Sequence, residues 1–325
     1  MDDAEAPRKQ PGWLRRYWPW LVGLVIVLVV GSRVPVDAFR KGITQGPHVL
    51  LGFVTLGITT CVLCSDSFST WIGLIALDIR RPLSRVFAIR GATYLLFLVN
   101  YALGQGAFGY YLNRTGVPGV RAVGATLFLM GTNLATLLLV TTGVWALRPA
   151  DPAHVALWWT LLLGTAAFAV YLLVIWLAPR ALARVEVLAP LFEARLKGYA
   201  IAIIGRLPHT AVLVIGHWLA LRTWGIPVPF VAGLTLMPAV VIASVLPISP
   251  AGLGTTQAAF VLFFSDYAAG ATADERHARV LAFAVVYFVY GVIASGIVGF
   301  ACTPFAKRMG LLPTASDQPS PSRSR

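Results

Sequence analysis

Long apolar runs, separated by short segments that contain charges, Gly or Pro, occupy most of the 325-residue chain. A helix that spans a bilayer needs about 20 mainly apolar residues. The pattern predicts eight such helices, at residues 17–34, 47–77, 89–104, 120–147, 154–178, 199–222, 228–247 and 278–303. We expect the charged segment 182–196 to form a helix that lies at the membrane surface.

The longest uncharged run, residues 223–265, has 43 residues and is broken by Pro247, Pro250, Gly252 and Gly254. Non-helical backbone at membrane depth is tolerated only where it is buried in protein or lines a watery cavity. We therefore expect a helix that ends before this break and a re-entrant half-helix after it. Broken segments of this kind often mark a transport site.

A similar break is predicted in the first half, where residues 91–113 are uncharged and contain Gly104-Gln105-Gly106. The first break is followed by a turn with Gly116, Pro118 and Gly119 and the second by a turn after Asp266, and a further apolar run follows each turn. The expected fold is an all-α polytopic membrane protein with about eight transmembrane helices plus two re-entrant half-helices. The repeated pattern also predicts an internal duplication, whose symmetry the sequence leaves open.

The composition agrees with this interpretation, since 58% of the residues are hydrophobic, 12% are charged and the mean hydropathy is +0.76. Average soluble domains carry about 25% charged residues. We expect three regions: a basic cytoplasmic tail (1–16), a transmembrane domain (17–303) and a basic, disordered tail (304–325). With eight spans, fourteen Lys and Arg residues lie on the side of the termini and eleven on the other, which weakly favours cytoplasmic termini.

The formal net charge of +13 could indicate a nucleic-acid partner. However, the basic residues form short clusters between apolar runs, without a stripe of interleaved aromatic residues. Anionic membrane lipids explain such clusters, so lipids rather than nucleic acids are the expected partners. A second copy of the chain or an enzyme that modifies lipids is the candidate protein partner.

Arg206 is the most costly residue to bury, because it lies inside the apolar run 199–222, and a central Arg costs about 2.5–3.5 kcal/mol on insertion scales. On a helix, His217 lies nearly in line with Arg206, and His209 lies within about 60° of it. Since Arg forms fork-like hydrogen bonds with phosphate, we predict that this face binds a lipid phosphate. The alternative is an Arg that reaches the interface or pairs with a structural carboxylate, with His residues that only pack helices.

Polar and Gly residues at the two breaks complete the predicted substrate site, where they would line a cavity at the ends of half-helices. They are Asn100, Gln105, Ser249, Gly252, Gly254 and Gln257. The alternative role of the polar members is to satisfy backbone groups that Gly and Pro leave free. Asn133 and Asp66 are further candidates. Asp66 could pair with Arg206 or carry a proton, but its serine neighbours favour a wet interfacial turn.

The chain contains no GxSxG, HExxH or Walker A motif, and no pair of CxxC motifs. Its one CxxC, Cys61 to Cys64, lies in an apolar run without a neighbouring His. We therefore expect no catalytic residues, no metal, no cofactor and no enzymatic activity.

The stretch Pro247-Ile-Ser249-Pro250-Ala-Gly252-Leu-Gly254 resembles a signature of the membrane region of lysylphosphatidylglycerol synthases, a flippase-like family. Residues 100–109 are similar to a degenerate form of that family's earlier Pro/Gly-rich element. The resemblance extends over about residues 20–303. Gln257 stands where the family pattern has Glu, and we expect this protein to lack the soluble aminoacyl-transferase domain. The resemblance therefore implies the lipid-translocating part, without lysyl transfer.

These observations predict a multi-pass protein of the bacterial inner membrane that moves or binds an anionic or amino-modified phospholipid. A small-solute transporter and a membrane-embedded transferase are alternatives. A non-catalytic membrane partner of an enzyme that modifies lipids is a third.

Overall fold

The computed structural model of the chain describes residues 21, 24–26, 28, 29, 31, 32, 35–99, 101–147, 155–245 and 252–311. The described part is helical and contains no strand. Its helices are α1 (Val36–Thr44), α2 (His48–Ala76), α3 (Leu83–Val99), α4 (Tyr101–Arg114), α5 (Gly119–Ala146), α6 (Val155–Leu177), α7 (Arg180–Ala183), α8 (Ala189–Glu193), α9 (Arg195–Thr223), α10 (Phe230–Val245), α11 (Thr255–Phe264) and α12 (Ala273–Arg308).

Five helices, α2, α5, α6, α9 and α12, are long and apolar enough to cross a membrane. They contain between 23 and 36 residues each, and they coincide with five of the predicted spans. The prediction of an all-α polytopic membrane protein is thereby confirmed. The helical residues between 21 and 31 fall within the first predicted span.

Four shorter helices form two consecutive pairs. Helices α3 and α4 have 17 and 14 residues, and α10 and α11 have 16 and 10 residues. At 1.5 Å per residue, each is at most about 26 Å long, which is less than the roughly 30 Å of a hydrocarbon core. The helix lengths therefore follow the order long, short, short, long in α2–α5 and again in α9–α12.

Two buried apolar clusters mark opposite ends of the helix bundle. The cluster at end A contains Leu77, Ile89, Leu112, Tyr199 and Leu311. It joins the end of α2 to the beginning of α3, the end of α4, the beginnings of α5 and α9, and the segment after α12. The first short pair therefore begins and finishes at end A.

The cluster at end B contains Leu51, Trp145, Trp224, Phe264 and Phe283. It joins the beginning of α2 and the ends of α5 and α9 to α10, α11 and the beginning of α12. The second short pair therefore begins and finishes at end B, opposite to the first.

Helices α2 and α9 pack closely because α9 presents glycines to its neighbour. A Cβ atom on Gly205 would lie 2.5 Å from Ile72 Cγ2, and one on Gly216 would lie 2.8 Å from Ile58 Cγ2. Small residues allow such close approach between membrane helices.

The structure corrects the predicted break at Gly104-Gln105-Gly106, because all three residues lie inside α4. Gly104 is required for packing: a Cβ atom there would lie 2.4 Å from the Phe97 ring of α3. Helix α3 ends at Val99 and α4 begins at Tyr101, and Asn100 lies outside the described residues.

Three further features differ from the predicted ones. The segment 182–196 contains the end of α7, all of α8 and the start of α9 in place of one surface helix. The surface helix α1 was not predicted, and α12 continues to Arg308, past the predicted domain boundary at residue 303.

Candidate functional site

A cavity of about 380 Å³, here called the central cavity, lies between α2, α3, α4, α5, α9, α10, α11 and α12. Its volume lies within the range of roughly 300–1,000 Å³ that is typical of ligand pockets. Its polar lining residues are Thr55, Thr59, Asp66, Arg90, Tyr94, Gln105, Asn133, Arg206, His209, His217, Ser244, Thr256, Gln257, Tyr287 and Ser295. Aliphatic and aromatic side chains, including Ile58, Phe97 and Phe288, form the rest of the wall.

The central cavity lies at mid-height in the bundle. Its lining residues run from Thr55 to Asp66 on α2 and from Arg206 to His217 on α9, which is about 16 Å along each helix axis. The midpoints of these helices, Val62 and His209, both lie on the cavity wall. Asp66 and Arg206 lie in the half of the cavity nearer end A, and His217 lies in the half nearer end B.

Two buried arginines hold the carboxylate of Asp66 in the half of the cavity nearer end A. Arg90 Nε of α3 lies 3.1 Å from Asp66 Oδ2, and Arg206 Nη1 of α9 donates a hydrogen bond to Asp66 Oδ1. Arg90 also donates to Thr70 Oγ1, at 3.0 and 2.8 Å, and its guanidinium lies 4.4 Å from the centroid of the Phe108 ring. We call these three charged residues the Arg–Asp–Arg cluster.

The Arg–Asp–Arg cluster carries a formal net charge of +1, because one carboxylate faces two guanidinium groups. Among the described residues of the cavity wall, Asp66 is the only acidic one. An unbalanced charge is costly in a poorly solvated site. An anionic ligand in the cavity would balance it, and Arg presents a fork of donors that suits phosphate oxygens.

The two predicted histidines lie at different heights on the cavity wall. His209 Nδ1 lies 3.2 Å from Ser65 Oγ, next to the Arg–Asp–Arg cluster. His217 Nδ1 lies 2.6 Å from Leu213 O, so this nitrogen must carry the proton, since a carbonyl oxygen only accepts.

The Gly residues of the second break shape the beginning of α11. Gly252 and Gly254 have φ angles of 73° and 87°, a region that favours glycine. A Cβ atom on Gly252 would lie 2.9 Å from Ser244 Cα, so a side chain would separate α10 from the loop before α11. Gln257 Oε1 accepts a hydrogen bond of 2.6 Å from Gly254 N–H and thereby caps α11.

Three polar atoms on the cavity wall are buried without a hydrogen-bond partner: Gln105 Oε1, Asn133 Oδ1 and Thr256 Oγ1. Buried polar atoms in folded proteins are nearly always paired. These three atoms therefore indicate that the cavity holds a polar ligand or water in the working protein.

The structure brings five of the nine predicted substrate-binding residues to the central cavity: Gln105, Arg206, His209, His217 and Gln257. Gly252 and Gly254 set the backbone path beside it, and Asn100 and Ser249 lie outside the described residues. The structure also places Asp66 inside the continuous helix α2, so the expected interfacial turn at this position is wrong. The binding roles of these residues stay predictions.

The sequence does not single out Arg90 as a site residue, because its charge groups with those of the loop before the third apolar run. It is buried on α3, seven residues after the helix begins. The available signal was its position as the last charge before 23 uncharged residues.

Comparison with known proteins agrees with the resemblance seen in the sequence. No curated protein matches this chain. Residues 18–299 match the family described as "Lysylphosphatidylglycerol synthase TM region". This match covers most of the chain, including every helix that contributes to the central cavity. The chain therefore belongs to the family of lysylphosphatidylglycerol synthase transmembrane regions.

Proposed function

We propose that this protein moves an anionic phospholipid between the two leaflets of a bacterial plasma membrane and binds its phosphate in the central cavity. The observation that carries the proposal is the Arg–Asp–Arg cluster, with its excess positive charge, on the wall of a cavity at mid-height in the bundle. In this proposal the chain transports a lipid and catalyses no covalent reaction.

The contacts of the Arg–Asp–Arg cluster support a phosphate as the bound anion. Each arginine has several donors and shares one carboxylate, so a phosphate can bind without removing Asp66. Arg206 is the stronger candidate for the main contact with the phosphate, because among the described residues its guanidinium is hydrogen-bonded to Asp66 alone. Arg90 is held further by Thr70 and Phe108.

A lipid fits the cavity better than a fully soluble ion because part of the wall is apolar and reaches the surface of the bundle. Phe288, Gly291, Val292 and Ser295 of α12 line the cavity. Val292 is also 37% exposed, so the cavity borders the region that lipid tails would occupy. A head group can therefore enter while its acyl chains stay in the bilayer.

We propose that α3–α4 and α10–α11 are re-entrant hairpins that enter the membrane from opposite sides. Arg81 Nη2 donates a hydrogen bond of 2.8 Å to Thr115 O, so the chain enters and leaves the first hairpin at the same end. The tips of both hairpins reach the central cavity through Gln105 and Gln257. With the first predicted span (17–34), this gives six spans in place of eight, and it makes α9–α12 an inverted repeat of α2–α5.

The charge distribution supports this topology and favours a cytoplasmic location for end A. Cytoplasmic loops carry an excess of Lys and Arg. Among the described residues, eleven lie at end A: Arg80, Arg81, Arg85, Arg114, Arg121, Arg180, Arg184, Arg195, Lys197, Lys307 and Arg308. Five lie at end B: Arg40, Lys41, Arg222, Arg276 and Arg279.

Lipid movement in liposomes tests the proposal. The protein is reconstituted with a fluorescent anionic phospholipid, and an impermeant quencher then reports the rate at which the lipid changes leaflet. Arg206→Gln should lower this rate by about tenfold or more, since a hydrogen bond to a charged group contributes about 1.5–3 kcal/mol. Arg121→Gln is the matched control, because Arg121 pairs with Glu193 at end A, away from the cavity.

Two results would contradict the proposal. Liposomes with wild-type protein could show no faster lipid movement than protein-free liposomes, or Arg206→Gln could match wild type. Uptake of a small organic anion without lipid movement would favour the alternative of a solute transporter.

A further inference from the structure

The half of the central cavity nearer end B differs chemically from the half that contains the Arg–Asp–Arg cluster. Its polar wall contains Thr55 and Thr59 of α2 and a set of neutral groups from α9–α12: His217, Ser244, Thr256, Gln257 and Tyr287. The described residues of this half include no carboxylate and no Lys or Arg. We call this set the neutral group.

The free hydrogen-bonding capacity of the neutral group suits hydroxyls. His217 donates its Nδ1–H to Leu213 O, so its Nε2 remains free as an acceptor. Gln257 Oε1 accepts a hydrogen bond from Gly254 N–H, so its NH₂ remains free as a donor. Thr256 Oγ1 is buried without a partner and can do both. A hydroxyl, which donates once and accepts twice, matches this mixture of donors and acceptors.

An ammonium group is disfavoured there, because the described residues of this half offer no carboxylate to pair with it and the neighbouring Arg–Asp–Arg cluster carries a net positive charge that repels it. Aromatic faces can also hold a cation, but several of those at this position are in contact with other rings. His217 stacks on Phe260 with an interplanar angle of 21°, and Phe283 stacks on Tyr287 with an angle of 12°. The remaining ring contacts of Phe260 with Phe283 and Tyr287 are edge contacts at 87°.

We propose that the head group handled by this protein carries hydroxyls beyond its phosphate, as in a phosphoglycerol or a larger polyol phosphate, and lacks an amine. This inference rests on the proposed function, because the phosphate is assigned to the Arg–Asp–Arg cluster. The hydroxyls then bind the neutral group, either together with the phosphate or as the head group moves toward end B.

The test compares three lipids that differ only beyond the phosphate. Phosphatidylglycerol has hydroxyls, phosphatidylethanol has the same charge without hydroxyls, and phosphatidylethanolamine has an amine. Native mass spectrometry of the full chain in neutral detergent counts how much of each lipid it retains. Wild type should retain phosphatidylglycerol about fivefold better than phosphatidylethanol, as expected for one or two net hydrogen bonds, and should retain phosphatidylethanolamine least.

Thr256→Val removes one hydroxyl at nearly constant shape and should reduce the preference for phosphatidylglycerol to about twofold or less. Thr256→Ser keeps the hydroxyl and should restore the preference. Thr60→Val is the matched control, because Thr60 lies outside the cavity wall and its Oγ1 donates to Leu56 O. Free glycerophosphoglycerol, added as competitor, should displace phosphatidylglycerol if the head group alone is recognised.

The outcomes separate this inference from the proposed function. If wild type retains phosphatidylglycerol and phosphatidylethanol equally and Arg206→Gln loses both, the hydroxyl inference fails and the phosphate site stands. Preferred retention of phosphatidylethanolamine, or an unchanged preference in Thr256→Val, also overturns the inference. If Arg206→Gln retains all lipids as wild type does, the proposed function fails.

Discussion

Asp66 is held by arginines from both halves of the molecule. Arg90 belongs to the first half with Asp66, whereas Arg206 comes from α9 in the second half. The contact between Asp66 and Arg206 therefore crosses the interface between α2 and α9. A ligand phosphate that binds Arg206 acts directly on a contact that joins the two halves.

Removal of the carboxylate should destabilise the protein more than removal of one arginine. Asp66→Asn leaves two buried cations without an anion, and breaking such a buried pair costs about 3–5 kcal/mol. Arg206→Gln leaves Asp66 paired with Arg90, so its loss of stability should be smaller. Thermal unfolding in detergent measures this order.

Asp78→Asn is the matched control, because Asp78 pairs with Arg80 on the exposed surface, and its melting temperature should equal that of wild type. Addition of an anionic phospholipid should raise the melting temperature of Asp66→Asn more than that of wild type. An Asp66→Asn protein as stable as Arg206→Gln would show that the cluster carries no unbalanced charge.

Gln257 shows why an amide can stand where the family resemblance leads us to expect Glu. Its Oε1 caps the N-terminus of α11 through Gly254 N–H, and a Glu carboxylate could accept the same hydrogen bond. The structural role therefore does not need the charge. In this chain, the positive charge at the central cavity is balanced only by Asp66 among the described residues of the wall.

The short hairpins are the elements that bring polar groups to mid-height. In the first hairpin, α3 and α4 approach closely because Gly104 faces the ring of Phe97. This packing places Gln105, whose Oε1 is buried and unpartnered, on the cavity wall. The packing of one glycine thus positions a predicted substrate-binding residue.

Gly104→Ala should lower both stability and lipid movement. Its Cβ atom would lie 2.4 Å from the Phe97 ring, and overpacking of this kind costs about 1–3 kcal/mol. Gly106→Ala is the matched control, since nothing lies within 4 Å of its Cβ position, and it should be at least as stable as wild type. Thermal unfolding and the liposome assay measure both effects, and equal behaviour of the two variants would contradict this packing.

Helix positions were largely predictable from the sequence, because the charges on either side of an apolar run mark where the helix begins and ends. The five long helices and the break after α10 followed from this pattern. The same reasoning wrongly predicted a break at Gly104-Gln105-Gly106, which lies inside α4, because glycine both interrupts helices and allows close packing. Only the position of Phe97 on a neighbouring helix decides between these roles.

At the scale of the whole molecule, the number of membrane spans depends on whether the two short helix pairs are re-entrant hairpins. Cysteine labelling tests this topology. In a protein without its native cysteines, Ser84→Cys and Arg114→Cys mark the two ends of the first hairpin. Ala269→Cys marks the opposite side. An impermeant maleimide should label Ala269→Cys in intact cells, and it should label the other two only after the membrane is permeabilised.

Labelling of Ser84→Cys and Arg114→Cys from opposite sides would contradict the hairpin and support eight spans. Gln45→Cys, an exposed position in the segment between α1 and α2 at end B, serves as a positive control for labelling in intact cells.

The candidate site was predictable in part. Helical periodicity placed Arg206, His209 and His217 on one face, and all three line the central cavity. The sequence offered Asp66 as a possible partner of Arg206 but could not decide this pairing, because it joins α2 to α9 across 140 positions of the chain. It gave no sign that Arg90 of α3 also contacts Asp66. Long-range pairing of charges depends on how the helices pack, and the periodicity of the sequence gives no information about that packing.

The close packing of α2 against α9 limits the route by which a lipid can reach the cavity. Ile72 and Ile58 occupy the space beside Gly205 and Gly216, so no acyl chain fits between these two helices. The wall formed by α12 is different, because Val292 both lines the cavity and is exposed. A lipid would therefore enter the cavity sideways past α12, because the tightly packed seam between α2 and α9 leaves no gap for it.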